Sequence, residues 1–216
     1  VPTDRDEELR LIRREWRVRS YRLPLVRTLE ADCPWLFAGA GRRGGTRDRY
    51  PPMTVDQLCA YPLPPLAPDV RLFFWRVGAL QQEALTVGRA WGFTQKSEIV
   101  WVKTTGDGRL LLDTNGIGND EVVKDKSLTN LAFGNGHQTR YAHETCLIFT
   151  RGNPERTAHF RSVFFAPIGE HSQKPAKFYD IAAAMSPGPR YRMFACDSIP
   201  GWTSEYHMAH RGEHAQ

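Results

Sequence analysis

The sequence predicts an α/β fold, a mostly parallel sheet flanked by helices, and three observations carry that prediction. Short apolar, β-branched runs alternate with segments of helical period along most of the chain. The joints between them hold glycine and proline. At 216 residues the chain is long enough for one domain with a single substantial core.

Taken in order, residues 5–18 read as a helix. Asp4, Asp6, Glu7 and Glu8 suit the positive end of its dipole, and Leu9, Ile12 and Trp16 share one face. The stretch 25–31 has the apolar density of a strand entering a sheet, and 54–60 is a short helix. A strand follows near 70–77. The helix expected over 79–91 carries Leu80, Ala84, Leu85, Val87 and Trp91 as its core stripe and Gly92 as its C-cap. Strands near 96–103, 144–150 and 161–166 come next. Pro175 suits the first turn of a helix over 174–185, which Pro187 and Gly188 end, and a last strand is expected near 190–196. Residues 104–135 show mixed charge, several glycines and no period, so an irregular insertion acting as a lid or an interface is expected there. The domain plan is a basic helical extension over 1–22, a main domain over 23–208 and a flexible tail over 209–216.

Composition narrows the classes of function. Apolar residues make up 41% and charged residues 25%, the balance of a globular protein. No apolar run approaches the ~18 residues of a membrane span, and no signal-peptide pattern opens the chain, so an intracellular location (cytoplasmic, nucleoid or nuclear) is expected. The four cysteines show no metal-ligand spacing and the histidines are scattered, so no metal site is expected. The net charge of +5 leans toward an anionic partner.

The most informative local feature is Asp32-Cys33-Pro34-Trp35, which closes the first strand. A carboxylate, a chain-fixing proline and a large ring at a strand's carboxyl end suit methylation of an exocyclic amine on a flat base. The Asp32 carboxylate accepts one hydrogen of the amine, the Cys33 carbonyl accepts the other, Pro34 aims the chain and the Trp35 indole stacks on the base. Directly after it, Arg42, Arg43, Arg47 and Arg49 crowd a glycine-rich segment. They read either as a phosphate clamp or as a solvated loop.

These segments resemble the MT-A70 family of adenine-N6 methyltransferases. Asp32-Cys33-Pro34-Trp35 is similar to its Asp-Pro-Pro-Trp signature, and Tyr50-Pro-Pro-Met53 to its Tyr-x-x-Met segment. Leu72-Phe-Phe-Trp-Arg-Val77, Glu98-Ile-Val-Trp-Val-Lys103, His143-Glu-Thr-Cys-Leu-Ile148 and Lys174-Pro-Ala-Lys-Phe-Tyr179 follow the family's core in order, and Phe194 and Pro200-Gly-Trp202 its last strand and exit. The resemblance covers roughly residues 25 to 205. It implies a Rossmann-like class I methyltransferase whose catalytic half precedes the half that binds S-adenosylmethionine. It also implies that Asp32, Cys33, Pro34 and Trp35 form the catalytic turn, that Tyr50 packs on the base, and that Lys174, Ser172, Phe194 and His207 serve the cofactor.

The chain departs from the family at Cys33, at Cys196-Asp197, where arginine is usual, and after Trp202, where Thr203-Ser-Glu-Tyr-His207 replaces a Gly-Asn-Glu or Gly-Asn-Gln run. Three functions are therefore weighed. The first is methyl transfer to adenine in nucleic acid, with DNA favoured over RNA. The second is a non-catalytic, nucleic-acid-binding partner subunit of such an enzyme, and the third an amine methyltransferase acting on a small molecule. A homodimer, or a heterodimer with a related subunit, is expected.

Overall fold

In the computed structural model the described residues are 23–36, 52–106, 130–132, 139–169, 173–195 and 197–204, together with Glu7. They form a seven-stranded sheet in the order β5-β3-β4-β2-β1-β6-β7. Its strands are β1 (Val26–Asp32), β2 (Leu66–Arg76), β3 (Thr94–Thr104), β4 (His143–Arg151), β5 (Val163–Pro167), β6 (Arg190–Met193) and β7 (Thr203–Ser204). The helices are α1 (Val55–Cys59), α2 (Gln81–Ala90) and α3 (Ala176–Met185). Every described strand runs the same way except β4, which lies antiparallel between β2 and β3. The expected Rossmann-like, mostly parallel architecture is what the chain adopts.

Burial on both faces explains why the central strands read as continuous apolar runs. Leu72 and Phe74 of β2 point to one face and Phe73 and Trp75 to the other, and all four are buried. On the first face Leu29, Ala31, Leu147 and Phe149 join them beneath Leu58 of α1 and Ala84, Val87 and Trp91 at α2. On the second face Ile99, Trp101, Ile148 and Phe164 meet Phe178, Ile181 and Ala182 of α3.

Local chemistry sets the helix ends. Thr54 and Gln57 form a reciprocal capping box at the start of α1. Gly92 follows the last turn of α2 with φ +83, a conformation that glycine adopts without steric cost. Gly88 is required for a different reason: a Cβ there would lie 2.5 Å from the Phe149 ring, so its absence lets α2 press onto β4. Trp91 then donates its indole N–H to the Leu58 carbonyl at 2.8 Å, tying α2 to α1.

Two expectations are corrected. The last long strand ends at Met193 rather than 196, because Phe194 takes φ +58, which no extended strand accommodates. Pro175 is the N-cap of α3 in extended geometry rather than a residue of its first turn. The short β7, which no periodicity announced, extends the sheet beyond β6. The tail over 209–216, most of the 104–135 segment and all of the N-terminal extension but Glu7, which is helical, lie outside the described residues.

Candidate active site

The site is assembled where the parallel strands β1, β2, β3 and β6 end and the antiparallel β4 begins, the usual ligand crevice of an open α/β sheet. Strand β1 supplies a polar stripe. Its alternate residues Leu29 and Ala31 face the α1–α2 core, whereas Glu30 and Asp32 register with Phe73 and Trp75 on the α3 side. Each polar group there finds a partner from late in the chain. Thr28 Oγ1 bonds Ser186 Oγ at 2.6 Å, Arg192 Nε lies 3.3 Å from Glu30 Oε2, and Lys174 Nζ lies 2.5 Å from Asp32 Oδ2.

Lys174 is the hub. It also reaches Glu144 Oε2 at 3.3 Å, while Lys103 holds Glu144 Oε1 at 2.5 Å. Ammonium and carboxylate thus alternate along Lys103, Glu144, Lys174 and Asp32. Asp32 stands at the open end of that row, with 33% of its side chain exposed. Burial alone would lower the Lys174 ammonium, but the Asp32 and Glu144 carboxylates outweigh it and hold the pKa above the ordinary value. Burial lifts the Asp32 carboxyl against the pull of Lys174. Glu144 goes the other way: its burial is outweighed by Lys174 and Lys103, which hold it low. Trp75 lies beneath, with Lys174 Nζ 5.2 Å from its ring centroid.

The turn after Asp32 is held by backbone bonds. Trp35 N–H donates to the Cys33 carbonyl at 2.9 Å, and Met53 N–H donates to the Pro34 carbonyl at 2.7 Å. Leu36 N–H donates in turn to the Met53 carbonyl, so the Tyr-x-x-Met segment is stitched to the tetrad. The Trp35 side chain lies elsewhere than the sequence suggests. Its residue is only 7% exposed and its ring is tilted against Phe74 at 5.7 Å, so the indole packs under the turn rather than offering an open stacking face. Phe194 is likewise turned inward, 4.6 Å from the Tyr61 ring. Tyr50, Arg42, Arg43, Arg47, Arg49, Ser172 and His207 lie outside the described residues.

Beside Lys174 a cleft of about 550 Å³ opens between the end of β5 and the start of α3, lined by Pro167, Ile168, Gln173, Lys174, Lys177 and Ile199 among others. That volume suits a cofactor-sized molecule. Lys174 and Lys177 with the first-turn N–H groups of α3 give it a cationic wall that fits a carboxylate.

No family model matches the chain. It is 25% identical over 194 residues to an Arabidopsis thaliana protein named N(6)-adenosine-methyltransferase MT-A70-like, covering 87% of this chain. It is 26% identical over 143 residues to the Homo sapiens N(6)-adenosine-methyltransferase catalytic subunit METTL3, covering 65%. A Drosophila melanogaster MT-A70-like protein matches to the same extent. The chain is therefore similar to MT-A70-like proteins. It spans only 24% and 21% of the length of the Arabidopsis and human relatives, about a quarter or less. Among the described residues no helix is long and apolar enough to cross a membrane and no group of side chains could hold a metal.

Sequence reasoning missed Glu30, Lys103, Glu144, Tyr179, Arg192 and Asp197 as members of this polar network. The signal for Glu30 was present in the alternation Thr28, Glu30, Asp32 within an apolar strand. Glu30 is 1% exposed, and its Oε1 has no partner among the described residues. Burial raises its pKa from 4.5 to about 7, against Arg192, which lowers it. The folded state therefore favours neutral Glu30. Its contribution to stability is complete below pH 4.5 and is lost as the pH rises toward 7. Relative to a Glu30→Gln variant, the wild-type unfolding free energy should fall by about 3 kcal/mol across that window. Urea denaturation at several pH values checks this, and parallel curves for the two proteins would refute it.

Proposed function

We propose that this chain is an S-adenosylmethionine-dependent methyltransferase domain acting on the N6 amine of adenine in nucleic acid. The observation that carries the reading is Asp32, a part-exposed carboxylate at the crevice end of β1, with Oδ2 held by Lys174 and Oδ1 left to accept a hydrogen. Asp32 Oδ1 and the Cys33 carbonyl are the acceptors suited to the two hydrogens of a flat amine, whose lone pair would then stay clear of the plane. Alignment of this kind lowers the barrier without a covalent intermediate. When bound, S-adenosylmethionine supplies an electrophilic methyl group on a sulfonium. Lys174, Lys177 and the α3 N-terminus are the groups suited to its carboxylate, with Ser172 and His207 as further contacts and Phe194 shaping the turn. Tyr50 would meet the base, and Arg42, Arg43, Arg47 and Arg49 would meet phosphates.

The relatives are named for adenosine, the ribonucleoside, which supports RNA as the first substrate to try and gives the DNA preference expected from the sequence no support. The test supplies the 216-residue chain with methyl-tritiated S-adenosylmethionine and single-stranded RNA, single-stranded DNA, duplex DNA of the same sequence, or free adenosine. Label recovered as N6-methyladenine from a polymer supports the proposal, and the preferred polymer identifies the substrate. Label on free adenosine alone, or on none, overturns it.

A further inference from the structure

We infer that Tyr141 is the residue on which this chain stacks the base next to its target adenine in a single strand of nucleic acid. This role deepens the proposed function and rests on it. The Trp35 indole is packed under its turn, so a base must find its aromatic partner elsewhere. Among the described Phe, Tyr and Trp residues only Tyr141 and Phe160 are exposed, at 39% and 47%. Phe160 precedes β5, which runs parallel to β3, so it lies at the far end of the sheet from Asp32. Tyr141 lies two residues before the antiparallel β4 and so stands at the crevice end. Its neighbour Ala142 accepts from the Lys103 N–H at 2.8 Å, and Glu144, three residues on, pairs with Lys174. The ring rests against Gly78, three residues beyond Trp75, whose Cα registers with Asp32. Three residues of extended chain and one strand spacing put that seat on the order of 10 Å from Asp32. An adenine with its amine at Asp32 is shorter than that span, so the base on Tyr141 is a neighbour of the target.

The ring is mounted in place. A Cβ at residue 78 would lie 2.6 Å from two of its carbons and 2.9 Å from its hydroxyl oxygen, so any side chain there would push the ring aside. Arg76 Nη1 donates to the Gly78 carbonyl at 3.2 Å and steadies that seat. The His143 ring stands edge-on to Tyr141, with 6.0 Å between centroids. A ring already seated at an exposed rim has less rotamer freedom left to lose when a base lands on it. Every base has a π-face, so such a contact adds affinity without reading sequence. Arg140, the exposed residue beside it, brings a cation to the phosphate that joins the two nucleotides.

The test measures equilibrium binding, by fluorescence anisotropy, and methyl transfer with a short uridine-rich RNA holding one adenosine. Two further copies carry an abasic residue directly 5′ or directly 3′ of that adenosine. For one of the two copies the wild type should lose about tenfold in affinity and in KM, with kcat within about twofold. Tyr141→Ala should bind the parent RNA about tenfold more weakly and no longer distinguish the copies, whereas Tyr141→Phe should behave as wild type. Gly78→Ala, at a position without positive φ, keeps the tyrosine but displaces its ring, and should weaken binding in the same direction. Near-ultraviolet circular dichroism checks that each variant is folded. A Tyr141→Ala chain that retains the abasic penalty, or a wild type that shows none, would overturn the inference and leave the methyltransferase reading standing. The expected binding pattern in a chain that transfers no methyl would support the stacking role and sink the methyltransferase. Neither binding nor transfer would sink both.

Discussion

Asp32→Asn is expected to lower methyl transfer about 100- to 1,000-fold while changing S-adenosylhomocysteine binding by no more than about threefold. The asparagine oxygen can still accept a hydrogen bond, but it carries no charge, and its amide donates where the carboxylate only accepted. Positive charge develops on the attacking nitrogen as the new bond forms, so an anionic acceptor is stronger in the transition state than in the ground state. The loss should therefore fall on kcat and leave KM for the polymer largely intact. Fold is not the issue. Asp32 side-chain exposure is 33%, and Lys174 has a second partner in Glu144, at 3.3 Å, which the substitution does not remove. Single-turnover assays with saturating cofactor read the chemical step directly. A variant that transfers methyl within fivefold of wild type would show that Asp32 does not hold the amine.

Lys174→Met carries the largest expected cost in stability, about 3 kcal/mol. Its ammonium is the shared counter-ion of Asp32 and Glu144, and its side chain is 6% exposed. Methionine keeps the volume over Trp75 but leaves Asp32 without an ion-pair partner among the described residues, with Arg192 acting on it only from farther away, while Glu144 keeps Lys103. The figure sits at the low end of the range for breaking a buried pair because both carboxylates retain some contact with solvent. Its pH dependence has a definite sign. Without Lys174 the Asp32 carboxyl, already raised by burial, rises further. The deficit is then greatest when Asp32 is ionised and shrinks as falling pH protonates it. Urea unfolding at pH 7.5 and at pH 5 measures both effects. A deficit under 1 kcal/mol at neutral pH would mean that solvent, rather than Lys174, neutralises the pair.

Much of this was legible in the sequence, and the residues show why. Leu72-Phe-Phe-Trp75 announced a strand, and Gly92 announced the end of α2. Such signals are local, set by period or backbone geometry. Asp32 and Lys174 were also picked out, although nothing local said that they touch, because they are 142 residues apart. The Glu30–Arg192 pair spans 162 residues and leaves no spacing to read. Trp35 marks the limit of reading side chains from motifs. An indole beside a candidate site invites a stacking role, but here the Met53 bridge and Phe74 draw it inward. Phe194 ended its strand early through a positive φ that no propensity foretells.

The strand order has a consequence for how such a chain comes into being. Strand β1 pairs on one side with β2, which is made soon after it, and on the other with β6, which is made near the end. A nascent polypeptide that has emerged only as far as β5 already holds Asp32, Glu30 and Glu144 in its strands, yet neither Lys174 nor Arg192 has emerged. Its central strand would present an open edge and unneutralised acids in what will become the interior. Long-range closure of this kind is slow, and it disfavours any compact half-built state. Chemical competence is therefore tied to completion: the residues that neutralise the site arrive with the strands that seal the sheet.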